Sequence, residues 1–241
     1  MGFEGRVART TMLDQLADGI EQRILTGQLS AGDRMPAEGV LAAEYGVSRP
    51  LVREALARLR ARGYVDTVSG RGTFVRHPDA VYLADAFMQQ IRLAGDRPPT
   101  ADQLYEARAA IETAAARLAA ARADDGVQAE LDRLLRDMND NVADPAAYTA
   151  ADVGFHLALA GASGNPMFPT LLAPLMTVIV EGVYITAGQA DAVRAGMRGH
   201  RRIFAALRSG DGDRTATEVA RHLAESRSYF PDEVTDGEFT R

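Results

Sequence analysis

Residues 46–62 read GVSRPLVREALARLRAR, five arginines and one carboxylate, Glu54, within seventeen residues. The 241-residue chain is acidic, with a formal net charge of −6. Positive charge is therefore gathered on one short segment, and what that segment can touch decides the fold. Ser48 reads as the N-cap of a helix. Pro50 falls in the first turn, where its missing donor is harmless. Val47 before the cap and Val52 after it suit a hydrophobic staple. Helical spacing buries Val52, Ala55, Leu56 and Leu59 and turns Arg49 and Arg53, four apart, to another face. Arg58, Arg60 and Arg62 lie near the helix end, where the dipole favours cations.

The flanks place this helix third in a series. Leu13, Leu16, Ala17, Ile20 and Ile24 repeat at helical spacing, with Gly27 as the stop and LSAGDRMP as loop. Pro36 can open a short second helix over about Ala37–Glu44, which Tyr45 and Gly46 end. Beyond Gly63, YVDTV and TFV are joined by SGRG, a hairpin signal. Three helices and a hairpin make a winged helix-turn-helix. Its third helix can lie in the major groove, with Arg71 at the hairpin tip reaching the minor groove or a phosphate. A solvated arginine face would look the same on its own. The Gly turn, the Ser cap, Arg-x-x-x-Arg and the Gly-Arg-Gly tip in order are what groove insertion needs, since arginine reads guanine and phosphates with two hydrogen bonds.

GDRMPAE, LAAEYGVSRPLVREALARLRARGYV and GRGTFV together resemble the DNA-binding domain of GntR-type bacterial transcription regulators, over residues 12–76. The resemblance implies that Arg34, Arg49, Arg53 and Gly72 lie at the DNA, with Ser48 capping the recognition helix. Two positions depart from the family pattern. Pro50-Leu51 stand where a hydroxyl-bearing pair is common, and Ala37 stands where a capping Ser is common.

The rest of the chain has a different character. Residues 1–76 carry 11 Arg against 9 Asp and Glu, a net of +2, and residues 77–241 carry a net of −8. That asymmetry suggests domains with different partners. With no cysteine there is no disulfide and no thiolate metal site. No apolar run of about 18 residues and no signal-peptide core stand out, so a cytoplasmic protein without a membrane span is expected. From Asp79 onward no strand signal stands out. Apolar periodicity, broken by Gly, Pro and Asp, gives about six or seven helices, the first over DAVYLADAFMQQIRLAG. The expected fold is mainly α: a winged helix-turn-helix over 1–78, an all-helical bundle over 79–230 and an acidic tail over 231–241.

The chain holds four histidines. His77 follows the hairpin and reads as linker. Asp152 and His156 are four apart and share a helical face, and Phe155, Leu157 and Leu159 suggest that this stretch turns inward. His200 and His222 fall on the last two helices. These four residues can converge in a bundle core and would suit zinc, with nickel or manganese as alternatives. Three unrelated, hydrogen-bonded histidines would show the same spacing. Asn165, in ASGNP, can cap the next helix or touch a ligand.

DVGFHLALAGASGNP, GHRRIFAALRSGD and ARHLAES resemble the FCD effector-binding domain of the FadR-type branch of those regulators, over about residues 80–230. The resemblance implies a divalent metal on Asp152, His156, His200 and His222, and a small carboxylate effector. It also places Arg108 near that ligand, although Arg108 could equally form a surface pair with Glu112. The reading is a homodimeric, ligand-responsive regulator, most often a repressor, on a pseudo-palindromic double-stranded operator. A metal-dependent hydrolase, or a DNA-binding dimer with no small-molecule effector, are the alternatives. No H-E-x-x-H motif is present to support an enzyme.

Overall fold

A computed structural model of the chain describes residues 11–76 and 99–231, together with residues 86, 87, 89, 90 and 93. His77 and residues 232–241 lie outside the described residues. Two compact units divide the chain, Met1–Asp79 and Ala80–Arg241.

In the first unit, α1 spans Met12–Leu25 and starts with a reciprocal capping box between Thr11 and Asp14. Leu16, Ala17 and Ile20 face the core. Helix α2 spans Glu38–Tyr45 and ends on Gly46, whose φ of 64° is the left-handed conformation glycine adopts without a Cβ clash. Pro36 was expected to open α2. Instead Ala37 is the cap residue, with extended backbone and no capping side chain, and Pro36 precedes it. Helix α3 spans Arg49–Ala61 and buries Val52, Ala55, Leu56 and Leu59. Ser48 Oγ accepts from Leu51 N at 3.4 Å. Val52 is buried and Val47 packs on the same core, as a staple requires.

Strands β1 (Val65–Val68) and β2 (Gly72–Val75) pair antiparallel with Val65 opposite Val75 and Val68 opposite Gly72. The loop before α2 extends this wing, because Met35 N donates to Thr73 O and Arg34 bridges Phe74. Arg58 and Arg62 do more than complement a dipole. Arg58 pairs with Asp14, and Arg62 with Asp18 at 3.0 Å and Glu21 at 2.7 Å. These two arginines tie α3 to α1.

The second unit is helical throughout its described residues. Its helices are α4 (Ala101–Ala120), α5 (Asp125–Asp140), α6 (Pro145–Ala162), α7 (Met167–Ala187), α8 (Ala190–Arg208) and α9 (Gly212–Arg227). Thr100, Asp124, Asp144 and Asp211 cap four of them through side-chain oxygens. Most of the segment expected to form a helix ahead of α4 lies outside the described residues. Leu131, Met138, Phe155, Leu172, Ile179 and Ile203 form the centre of one continuous apolar core. Helix α7 corrects one expectation, for its 21 residues are long and apolar enough, by length and composition, to cross a bilayer. Leu172, Leu175, Met176 and Ile179 pack in the bundle, while Leu171, Tyr184 and Ile185 are exposed.

Candidate metal centre and DNA-facing helix

Asp152 and His156 sit one turn apart on α6, His200 on α8 and His222 on α9. All four are buried. One ring nitrogen from each histidine lies within 4.8 Å of the others. His156 Nε2 and His200 Nε2 are 3.3 Å apart, and Asp152 Oδ1 is 3.3 Å from the same His200 nitrogen. Zinc–nitrogen bonds of about 2.0–2.1 Å at a tetrahedral angle set two nitrogens roughly 3.3 Å apart. Helices α8 and α9 approach closely enough to seat His222 only because residue 199 is glycine. A Cβ there would lie 2.3 Å from His222 Nδ1.

Burial sets the protonation of the cluster. Loss of solvent pushes His200 down to about 4 and His222 well below its usual value. Both rings are thus neutral near pH 7, the form in which imidazole binds a metal. His200 Nδ1 and His222 Nδ1 are buried with no hydrogen-bond partner, an unfavourable arrangement for polar groups that serve packing alone. The neutral, clustered imidazoles beside the Asp152 carboxylate fit a borderline divalent cation. Among the described residues this is the one group of histidines and acids so clustered.

Sequence reasoning missed Glu112. Its Oε2 lies 2.6 Å from His156 Nδ1, and its Oε1 accepts from Arg108 Nε at 2.7 Å. Burial alone would raise the Glu112 carboxyl, but the adjacent Arg108 and His156 hold it at about 2. An ionised carboxylate can only accept, so His156 Nδ1–H donates to Glu112 and Nε2 is left facing the cluster. The sequence did carry a signal: Arg108 and Glu112 share a helical face with Leu104, Tyr105, Ala115 and Ala116, which all turn inward. The Arg108–Glu112 pair that the sequence leaves open as a surface alternative does form, but it is buried, each residue only 2% exposed.

Arg108, Tyr105, Tyr148, Asp152, His156 and Gly196 line a cavity of about 40 Å³ beside His222, room for a few water-sized groups. Burial pushes the Tyr105 hydroxyl up to about 12 and Tyr148 upward as well. Both stay protonated and can donate to an anion. Asn165 is not among the lining residues. Its Oδ1 accepts from Met167 N at 3.1 Å, at the entrance to α7.

In the first unit, Arg49 and Arg53 are exposed on one side of α3, and Arg71 is exposed at the turn of the wing. The guanidinium of Arg34 lies over Gly72, where a Cβ would come within 3.0 Å of Arg34 Nε. The same glycine has φ +112°, so both backbone and space call for its missing side chain. Arg53 forms a two-pronged ion pair with Glu38.

Comparison with known proteins identifies both domains. The FCD domain matches residues 103–225, just over half the chain, and the bacterial regulatory proteins of the gntR family match residues 13–75. This chain belongs to the GntR family of transcription regulators, with an FCD domain. Two curated relatives are the HTH-type transcriptional regulator LutR of Bacillus subtilis (strain 168), 29% identical over 88% of this chain and 99% of its own length, and the galactonate operon transcriptional repressor of Escherichia coli (strain K12), 27% identical over 92% and 97%. Among solved structures, Streptococcus agalactiae GntR is similar with a TM-score of 0.70 and 25% identity, covering 90% of this chain and all of that one. A GntR regulator binds operator DNA and is not an enzyme, which sets the hydrolase alternative aside.

Proposed function

We propose that this GntR regulator is a repressor that senses a small carboxylate at a divalent metal. The observation that carries the reading is the convergence of three buried imidazoles beside Asp152, with Asp152, His156 and His222 lining a cavity that Arg108 also lines. Asp152, His156, His200 and His222 would hold the metal, with zinc preferred and nickel or manganese as alternatives. A bound cation supplies positive charge beside the cavity, which attracts an anion. Arg108 adds a charge on the adjoining wall, its Nε anchored by Glu112. The Tyr105 and Tyr148 hydroxyls supply neutral donors. A hydroxy acid suits this mixture of charge and donors, and the named relative that controls a galactonate operon points the same way. Asn165 belongs to helix capping in this reading and not to the effector.

In the proposed domain roles, residues 1–78 read DNA, residues 79–230 sense and dimerise, and 231–241 form a tail. In the cytoplasm, two chains would place two α3 helices on the half-sites of a pseudo-palindrome. Arg34, Arg49, Arg53 and Arg71 would contact it, with Ser48 and Gly72 shaping the backbone. An effector that favours one dimer geometry changes DNA affinity, and DNA changes effector affinity by the same factor. The test is a panel of small hydroxy acids, sugar acids and dicarboxylates titrated into the metal-loaded protein on its selected DNA site. At least one should shift DNA affinity by roughly 5–150-fold. A flat response to the whole panel would remove the carboxylate from the proposal and leave a DNA-binding dimer with no such effector.

A further inference from the structure

The first two residues of α2, Glu38 and Gly39, both lie against arginines of α3. Arg53 donates Nε–H to Glu38 Oε1 at 3.1 Å and Nη2–H to Oε2 at 2.8 Å. A guanidinium has two edges that can form paired hydrogen bonds, Nε with Nη2 and Nη1 with Nη2. Glu38 occupies the first. The second is the end of the side chain, the edge that matches O6 and N7 of guanine. Arg53 remains 71% exposed, so its end edge is open.

A second observation concerns the neighbouring residue. The Arg49 guanidinium lies over Gly39, where an added Cβ would come within 3.1 Å of Nη2. Helix α2 thus gives one arginine a carboxylate to grip and the other a bare backbone to lie on. The hydrogen bonds from Arg53 hold the Glu38 carboxyl below its usual range, with the charges of Arg53 and Arg49 adding to the effect. A carboxylate is otherwise out of place on a surface that meets phosphates, because it opposes their binding. As an exposed ion pair it contributes little to stability.

We infer that Glu38 is a positioning residue for base readout: it fixes the fork of Arg53 so that the end edge meets one base pair, and it weakens binding to DNA of arbitrary sequence. A free arginine would sample many rotamers and find phosphates as readily as bases. A held arginine has already lost that freedom before it binds. This inference rests on the reading of α3 as the groove-inserting helix and of Arg53 as a base contact.

The test uses the full-length protein and a duplex it selects from a random library. Affinities are measured for that duplex, for its single-base-pair variants and for a random-sequence duplex, using the native chain, Glu38→Gln, Glu38→Asp and Arg53→Ala. Arg53→Ala should lose discrimination at one base pair. Glu38→Gln should lose discrimination on the order of tenfold at that same base pair, while binding the random duplex as tightly as the native chain or more tightly. Glu38→Asp keeps the charge on a shorter stem, so it should lose part of the discrimination with no gain on random DNA. Native discrimination in both Glu38 variants would overturn the inference and leave Glu38 as a surface ion pair. If Arg53→Ala loses discrimination nowhere, the base-contact assignment of Arg53 fails, and the positioning role fails with it.

Discussion

Glu112 Oε2 lies 2.6 Å from His156 Nδ1, with both side chains buried between α4 and α6, and its other oxygen accepts from Arg108. One carboxylate therefore orients a histidine proposed as a metal ligand and anchors the arginine proposed for the effector. A metal–histidine–carboxylate arrangement of this kind fixes both the tautomer and the direction of the ring.

Replacing Glu112 with Gln should expose that double role. The amide oxygen can accept from Arg108 or from His156, but the amide nitrogen can satisfy neither in the same way. Metal affinity should fall about 10–100-fold, read by competition with a chromophoric chelator. Unchanged affinity would show that Glu112 serves packing alone.

Two glycine substitutions separate metal binding from packing. Gly199→Ala puts a methyl 2.3 Å from His222 Nδ1. It should displace that ring, reduce metal binding and destabilise the protein by about 1–3 kcal/mol. Gly182→Ala meets the Phe230 ring at 2.1 Å instead. It should cost a similar amount in thermal unfolding and keep the metal. Equal metal loss in both variants would mean that the bundle responds as a whole.

Metal removal should lower the melting temperature, since a ligand that binds only the folded state stabilises it by mass action. At free metal a hundredfold above its dissociation constant the gain is about 2.7 kcal/mol. Calorimetry before and after chelation, and after adding zinc back, reads this directly. His156→Ala should melt at the same temperature with or without chelator.

On DNA, Arg71→Ala should weaken binding similarly on all sequences and reduce the log–log salt slope by about 1, if its charge meets a phosphate. Arg53→Ala should cost about 1–3 kcal/mol on the selected site. Arg62→Ala removes the tie from α3 to Asp18 and Glu21. It should affect stability by less than about 1 kcal/mol and leave base preference alone. Equal behaviour of the three variants would argue against a distinct reading face on α3.

Local signals made the first unit readable from its sequence. The Ser48 cap, the Val47 and Val52 staple, Gly46 and the glycines of the wing each act over a few residues. The start of α2 was misplaced by one residue because Ala37 has no capping side chain to mark it. In the second unit, His156, His200 and His222 stand out because the chain holds four histidines and these three fall in expected helices, and the resemblance to the FCD domain joins them into one set. Glu112 did not, since a pair four apart on a helix is usually solvated and its depth depends on how α4 packs. The grip of Glu38 on Arg53 was hidden for a similar reason: 15 residues separate the partners, and the folding of α2 against α3 brings them together. The cavity itself depends on side chains from several helices and has no signature in any one segment.

The most direct test of a metal-centred sensor is the metal content per chain of the protein purified without a histidine tag, measured beside His156→Ala. About one zinc, nickel or manganese per native chain, lost in the variant, is the predicted result. If the native chain holds none, even after dialysis against each metal, Asp152, His156, His200 and His222 are not a metal site, and the cavity must recognise its ligand through Arg108 and the two tyrosines alone.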